Sequence, residues 1–240
     1  MNSHANIVVA TGLGKVVGDY FALHLDKKLV DGHLRARVIA RSVNTKDIIS
    51  ALDDNRRVAE ILFHALLFPD ERTPEVILIP CNSVHNASPF LKHDLGDAFI
   101  PIDEATVSLI NQTGRQGRFL ILGTSTTVKS GMYQEPLLRL GCESIVLPPN
   151  IQASFDDFIF EELVNGKMTD THLQTLRELE LRYMELFGAN HVILACTELC
   201  YLVQVFSQPL ACEVDSLQAL HDAGIERIKT LLRKGKNYAN

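Results

Sequence analysis

The chain has 240 residues, of which 46% are hydrophobic, and carries a formal net charge of −6. That apolar content supplies a sizeable core and argues against wholesale disorder; the acidic balance, with no basic run longer than Arg233–Lys234–Gly235–Lys236, argues against a nucleic-acid partner. No apolar stretch approaches the roughly 18–20 residues of a membrane span, Met1–Asn2–Ser3–His4 does not open a secretory signal, and five cysteines, an odd number, point to reduced thiols in the cytoplasm.

Ile7–Ala10 reads as a short buried strand, and Thr11–Gly12–Leu13–Gly14 as a glycine turn opening a helix to about Leu29. The turn lacks a full GxGxxG or GK[ST], so its plain role is a tight strand-to-helix connection. Glycine would also let the backbone at Gly12 and Leu13 approach a ligand closely. Arg37–Val43 is a second strand. Lys46–Phe68 carries a broken helical stripe through Ile48, Ile49, Leu52, Val58, Ile61, Leu62 and Leu66, closed by Pro69 and Pro74. Val76–Ile79 is a continuous aliphatic run, the mark of a strand buried on both faces. It leads into Pro80–Cys81–Asn82–Ser83–Val84–His85, so Cys81 stands at a strand's carboxyl end, where open α/β sheets place ligand sites.

A helix-like stretch follows to about Leu91, then a strand at Phe99–Ile102 and a helix at Asp103–Leu109 with Asp103 as its N-cap. Arg118–Thr124 restarts the pattern of apolar strand, small residue and threonine. The hydroxyl-rich run Thr124–Tyr133 either fills a loop or, at a strand's carboxyl end, offers donors to a carboxylate. Ile145–Leu147 is a strand stopped by Pro148–Pro149; Ser154–Asn165 and Thr171–Phe187 are helices. His191–Cys196 repeats the earlier theme and ends in Ala195–Cys196–Thr197–Glu198. A short strand at Gln208–Val214 and a helix from about Ser216 to Leu232 close the chain. Cys81 and Cys196 lie 115 positions apart and Thr11 and Thr124 lie 113 apart, which suggests an internal duplication. The alternation of strand and helix implies an α/β fold with mainly parallel sheets. The expected domains are pseudo-symmetric: residues 1–103 plus 215–240 carrying Cys81, and residues 104–214 carrying Cys196, with the active site in the cleft between them.

Two opposed thiols can invert a stereocentre without a cofactor. One, as thiolate, removes a proton from carbon while the other delivers one to the opposite face. A helix N-terminus would lower either thiol from its ordinary pKa of about 8.5. Amide and hydroxyl donors at Asn82, Ser83 and Thr197 would steady the charge developing on a carboxylate.

These residues resemble the aspartate/glutamate racemase superfamily. Its PCN[ST] and GCTE or GCTH signatures are similar to Pro80–Cys81–Asn82–Ser83 and Ala195–Cys196–Thr197–Glu198. Its T-x-x-T-x-x-S-G-x-Y segment resembles Thr124, Thr127, Ser130, Gly131 and Tyr133, and Glu213–Val214–Asp215–Ser216 resembles its C-terminal strand and turn. His85 and Glu198 look like the aspartate-racemase branch, since the glutamate branch tends to carry His where Glu198 stands. The resemblance implies a pyridoxal-phosphate-independent racemase with no cofactor and no metal. Its acid/base pair is Cys81 and Cys196, its substrate a small amino acid, and its state a homodimer. Three departures bear on substrate identity: Ala195 for glycine, Ser83 for threonine, and an opening loop without the family's Gly-Gly pair.

Each assignment has a plainer counterpart. Cys142, Cys200 and Cys212 read as inert buried thiols. Cys196 and Cys200 with His191 could be metal ligands, but no second pair at zinc spacing follows. His85 could orient a thiol or simply bond on a helix surface, and Glu198 could hold a substrate ammonium or simply favour a helix start. Arg41, Arg56 and Arg57 are candidate partners for a side-chain carboxylate, with solvated surface the better account of at least two. Two other functions share the scaffold: cysteine-dependent maleate cis–trans isomerisation and non-catalytic amino-acid binding.

Overall fold

The computed structural model describes residues 4–67 and 73–237. The expected closure of a helix at Phe68 and Pro69 lies outside them, as do Met1–Asn2–Ser3. The chain forms two compact units, one of residues 1–80, 87–101 and 220–240, the other of residues 81–86 and 102–219. The sequence expectation put the Cys81 motif with the first half, whereas residues 81–86 group with the second unit.

The first unit takes its elements in the order β1 (Ala5–Thr11), α1 (Val17–Asp31), β2 (Ala36–Ser42), α2 (Thr45–Ile49), α3 (Asn55–Leu66), β3 (Val76–Leu78), α4 (Ser88–Leu95) and β4 (Phe99–Ile100). Its sheet runs β2-β1-β3-β4 with every neighbour parallel, Ala5 opposite Ala36 and Ile7 opposite Val76. The central strands are the continuous apolar runs: Ile7, Val9, Val76 and Leu78 have no exposed surface. The edge strand β2 alternates between half-buried and exposed residues, as an edge should. The single helix expected over Lys46–Phe68 is two helices. Asp54 breaks it by accepting hydrogen bonds from the Arg56 and Arg57 amides, an N-cap that starts α3 afresh.

The second unit continues with α5 (Ile102–Gln112), β5 (Arg118–Leu122), α6 (Ser125–Lys129), α7 (Gln134–Arg139), β6 (Glu143–Ile145), α8 (Pro149–Asp157), α9 (Asp170–Phe187), β7 (His191–Leu194), α10 (Thr197–Phe206), β8 (Glu213–Asp215) and the start of α11 (Ser216–Asn237). Its sheet runs β6-β5-β7-β8, again all parallel. The two sheets therefore have the same order, with β1 and β5, and β3 and β7, in matching places. Four local expectations change. Asp103 lies inside the first turn of α5 rather than at its cap. Pro149 does not end a strand but begins α8, since a missing N–H costs nothing at a helix start, and the helix expected from Ser154 runs on as a π-helical stretch over Phe158–Leu163. The last strand is only Glu213–Asp215. Phe119, Ile121, Tyr133, Leu137, Ile193 and Val214 form the centre of this unit's core.

Close approach fixes one glycine in each sheet. A Cβ at Gly12 would stand 2.5 Å from the Val43 carbonyl oxygen, and its φ of +82° is a conformation side chains disfavour. A Cβ at Gly123 would stand 2.6 Å from the Ala195 carbonyl oxygen, so the end of β5 lies directly on the end of β7. Among the described residues no helix is long and apolar enough to cross a membrane.

Candidate active site

Strand β7 ends at Leu194, and the Ala195 amide donates to the Leu122 carbonyl at 2.7 Å, carrying the strand edge up to Cys196. Cys196 has extended backbone (φ −144°, ψ 128°) and caps α10, its carbonyl accepting from the Leu199 and Cys200 amides at 3.1 and 3.2 Å. Its thiol donates to Glu198 Oε2 at 3.2 Å, and the Thr197 hydroxyl donates to the same oxygen at 3.2 Å. All three side chains are buried. Burial pushes the Glu198 carboxyl up, while the Cys196 thiol, the helix-start amide and Thr197 draw it back down.

Cys81 follows β3 through Ile79 and Pro80 and stands two residues before the tight 3₁₀ turn Ser83–Ala87. The turn is closed by the His85 amide donating to the Asn82 carbonyl at 3.0 Å and by His85 Nδ1 hydrogen-bonding the Cys81 carbonyl at 2.8 Å. Ser83 Oγ shares hydrogen bonds with Thr124 Oγ1 (3.0 Å) and Thr127 Oγ1 (3.4 Å), which lie 3.3 Å from each other. Thr124 also caps α6 by accepting from the Thr127 amide. The Asn86 amide group donates to the Thr126 carbonyl at 3.2 Å. Three hydroxyls from two segments 41 residues apart in sequence thus form one cluster beside the Cys81 loop.

The thiol protonation differs from the expectation. Burial, then the nearby Glu198 carboxylate, push Cys81 up to about 12, outweighing the Val84 and Ser83 amides that favour thiolate. The same two causes, with the hydrogen bond to Glu198 added, push Cys196 well above its ordinary value. Helix-start amides do act on both thiols, but desolvation is larger. Cys81 keeps some solvent exposure, although protein surrounds it closely. His85, fully enclosed, is pushed down to about 4 by desolvation, so its ring is neutral at pH 7.

Cys81, Asn82, Ser83, His85, Thr124, Thr127, Cys196, Thr197 and Glu198 all belong to the second unit. Ser130 belongs to it too, but it is exposed, and its hydroxyl holds a local turn by donating to the Thr127 carbonyl at 2.6 Å and accepting from the Met132 amide at 3.2 Å. Gly12, Leu13, Arg41 and Arg56 lie in the first unit. The Gly12 carbonyl accepts from the Thr45 hydroxyl, Arg41 is half-buried, and Arg56 is spent on an exposed pair with Glu60 at 3.3 Å. Cys142 and Cys200 are buried as expected, whereas Cys212 is partly exposed. Cys200 Sγ lies 3.3 Å from the Leu194 carbonyl oxygen. Among the described residues no three His, Cys, Asp or Glu side chains converge as metal ligands.

Three residues around the site were not assigned from the sequence. Tyr133 donates to Asn82 Oδ1 at 2.5 Å, and Asn82 Nδ2 donates to Ser216 Oγ at 3.1 Å. Asp156 accepts from the Ser125 amide at 2.8 Å and from its hydroxyl, holding the start of α6. Tyr133 and Ser216 each end a stretch that carries the family resemblance, the one signal available for them. Asp156 carried none.

The model of the Asp/Glu/Hydantoin racemase family matches residues 24–223. A glutamate racemase of Corynebacterium glutamicum is 23% identical over 180 residues, covering 72% of this chain and 63% of that protein; that match spans less than two thirds of the relative's length. A glutamate racemase of Corynebacterium diphtheriae is 23% identical over 215 residues, covering 84% of this chain and 78% of that one. The crystal structure of an aspartate racemase homologue from Pyrococcus horikoshii is similar with a TM-score of 0.70 and 22% identity, covering 95% of this chain and 100% of that chain. At that identity the likeness shows a shared fold.

Proposed function

The chain belongs to the Asp/Glu/Hydantoin racemase family, and from that premise we propose that it racemises aspartate, glutamate or a related small amino acid, without pyridoxal phosphate, through Cys81 and Cys196. The observation that carries the reading is that one buried carboxylate, Glu198, acts on both thiols at once. Both thiols therefore lie within electrostatic range of one carboxylate, and Asn82, next to Cys81, is joined through Ser216 to the Leu194 carbonyl two positions before Cys196.

One cysteine, as thiolate, takes the α-proton from one face, leaving the electron pair delocalised into the substrate carboxylate. The other, as thiol, returns a proton to the opposite face, and the two exchange protonation states. The hydroxyls of Ser83, Thr124 and Thr127 are the donors best grouped to hold a carboxylate as charge develops on it. Glu198 is the group for the α-ammonium: its partners among the described residues are a thiol, a hydroxyl and a helix-start amide, and a buried carboxylate calls for a cation. An ammonium there would offset the Glu198 charge, the second cause, after burial, that holds both thiols protonated. Activation of the thiols is then tied to substrate arrival. His85, neutral and bonded to the Cys81 carbonyl, sets the turn rather than a charge.

A cytoplasmic homodimer is consistent with the family resemblance and with the free cysteines. Cys81→Ser and Cys196→Ser are each expected to lower racemisation by about 10²–10⁴-fold, with thermal unfolding close to wild type. The measurement is D-enantiomer formation by chiral chromatography. Near wild-type racemisation by either variant would sink the two-thiol reading.

A further inference from the structure

Asn82, immediately after Cys81, stands where a substrate contact would be expected, yet its side chain is already committed at both ends. Its carbonyl oxygen accepts the Tyr133 hydroxyl at 2.5 Å, and its amide nitrogen donates to Ser216 Oγ at 3.1 Å. Ser216 in turn donates to the Leu194 carbonyl at 2.7 Å. Leu194 is the last residue of β7, two positions before Cys196. A single line of hydrogen bonds therefore runs from the loop that begins with Cys81 to the strand end that carries Cys196. Every side chain on it is buried: Asn82 is 2% exposed, Tyr133 and Ser216 0%.

The other ties of the Cys81 loop lead elsewhere. Ser83 reaches Thr124 and Thr127, and Asn86 reaches the Thr126 carbonyl, all around α6. His85 closes the loop on itself. Among the described residues, the Asn82–Ser216–Leu194 line connects one thiol's backbone to the other's, and Tyr133 braces Asn82 from the side. Buried hydrogen bonds of this kind have one good geometry and are costly to leave half-made.

We infer that Tyr133 and Ser216 are positioning residues that, through Asn82, fix the Cys81 loop against the end of β7 and so set the spacing of the two thiols. This rests on the two-thiol racemase reading. Proton transfer on two faces of one carbon needs both sulfur atoms in near-attack geometry at the same time, and a displacement of about 1 Å can cost about 100-fold. The Asn82 side chain thereby acts first as a tie between two segments, with its carbonyl oxygen and one amide N–H engaged in it. Its amide groups serve the scaffold.

The test uses Tyr133→Phe and Ser216→Ala, singly and combined, in the full chain, with folding checked by thermal unfolding. α-Proton exchange in D2O and D-product formation are followed together for L-aspartate and L-glutamate. Displacing one thiol relative to the other should lower inversion more than exchange. The expected result is a fall in kcat for racemisation of about 10- to 100-fold, KM little changed, and a rise in the ratio of exchange to inversion. The double variant should lose little more than the worse single one, because both loosen the same side chain, Asn82. Loss of folded protein alone would lower exchange and inversion together and leave their ratio at the wild-type value. Either that unchanged ratio in both single variants, or wild-type kcat in both, overturns the inference. Should wild-type protein turn over neither amino acid, the racemase reading has failed on these substrates, and iodoacetamide labelling of Cys81 and Cys196, resolved by mass spectrometry, decides the positioning role separately. It survives if the variants change the relative labelling of the two thiols several-fold, and falls if the pattern is unchanged.

Discussion

Glu198 stands two residues after Cys196 in sequence, but its charge reaches Cys81 from 117 positions away. The strand-end cysteines were legible because an apolar run that stops at a thiol is visible in the text. Their protonation was not, because desolvation and the Glu198 field come from residues that only folding assembles. The sequence supported a lowered thiol pKa; the structure puts both thiols on the protonated side. Alkylation of Cys81 by iodoacetamide is therefore expected to keep rising to at least about pH 10 without levelling, where an ordinary cysteine of pKa about 8.5 levels off. A plateau near pH 8 to 9 would contradict it. Glu198→Gln removes the negative charge, so it should lower both thiol pKa values and speed alkylation at about pH 8.5, while slowing racemisation through loss of the ammonium partner. His85, pushed down to about 4, binds fewer protons folded than unfolded between pH 4 and its ordinary 6.5. Its contribution to stability is thus present above about 6.5 and is lost as pH falls toward 4. Its ring proton resonance should stay flat from about pH 5.5 to 8; a midpoint near 6.5 would show the ring to be solvated.

At the scale of elements, each strand of the sequence reading overlaps a strand of the structure, though the last begins at Glu213 rather than Gln208. Central parallel strands write themselves as unbroken aliphatic text. The missed features depend on side chains bonding to backbone. Asp54 splits one expected helix into two by capping α3, and Pro149 starts a helix where it was read as stopping a strand. The contact of β5 with β7 could not be read at all, since it rests on the absence of a Cβ at Gly123 facing the Ala195 carbonyl. The family's glycine before the second cysteine is alanine here, and the bare position across from it is Gly123. Gly123→Ala is expected to destabilise the fold by about 1–3 kcal/mol, read as a lower urea midpoint, and to impair racemisation by shifting the turn that leads to Thr124. An unchanged midpoint would mean the two strand ends part freely.

For the whole molecule, the near-equal offsets of Thr11 to Thr124 and Cys81 to Cys196 correspond to equivalent strands in two sheets of identical order. The matching sheet order was legible because the equivalent strand ends keep a threonine and a cysteine; the allotment of residues 81–86 to a unit was not, because it follows contacts rather than pattern. Away from the thiols, Arg177 bridges two buried carboxylates, Glu180 at 2.8 Å and Glu213, at the start of β8, with Cys212 and Arg115 beside them. Burial and then Glu213 push Glu180 up to about 8, against the pull of Arg177. The folded state thus holds a proton that the unfolded chain has lost between about pH 4.5 and 8, so stability falls as pH rises through that window. Glu180→Gln should flatten the dependence of Tm on pH between about 6 and 9, without abolishing it, since Glu198 and Asp215 are also pushed up by burial. An unchanged slope would place the proton elsewhere. The central claim, that two thiols work opposite faces of one amino acid, is tested most directly by proton NMR of L-aspartate and L-glutamate in D2O with the wild-type protein, alongside chiral chromatography. Loss of the α-proton signal together with appearance of the D-enantiomer is the predicted result for at least one of the two. Exchange without D-product would show that only one face is served, and would contradict the claim.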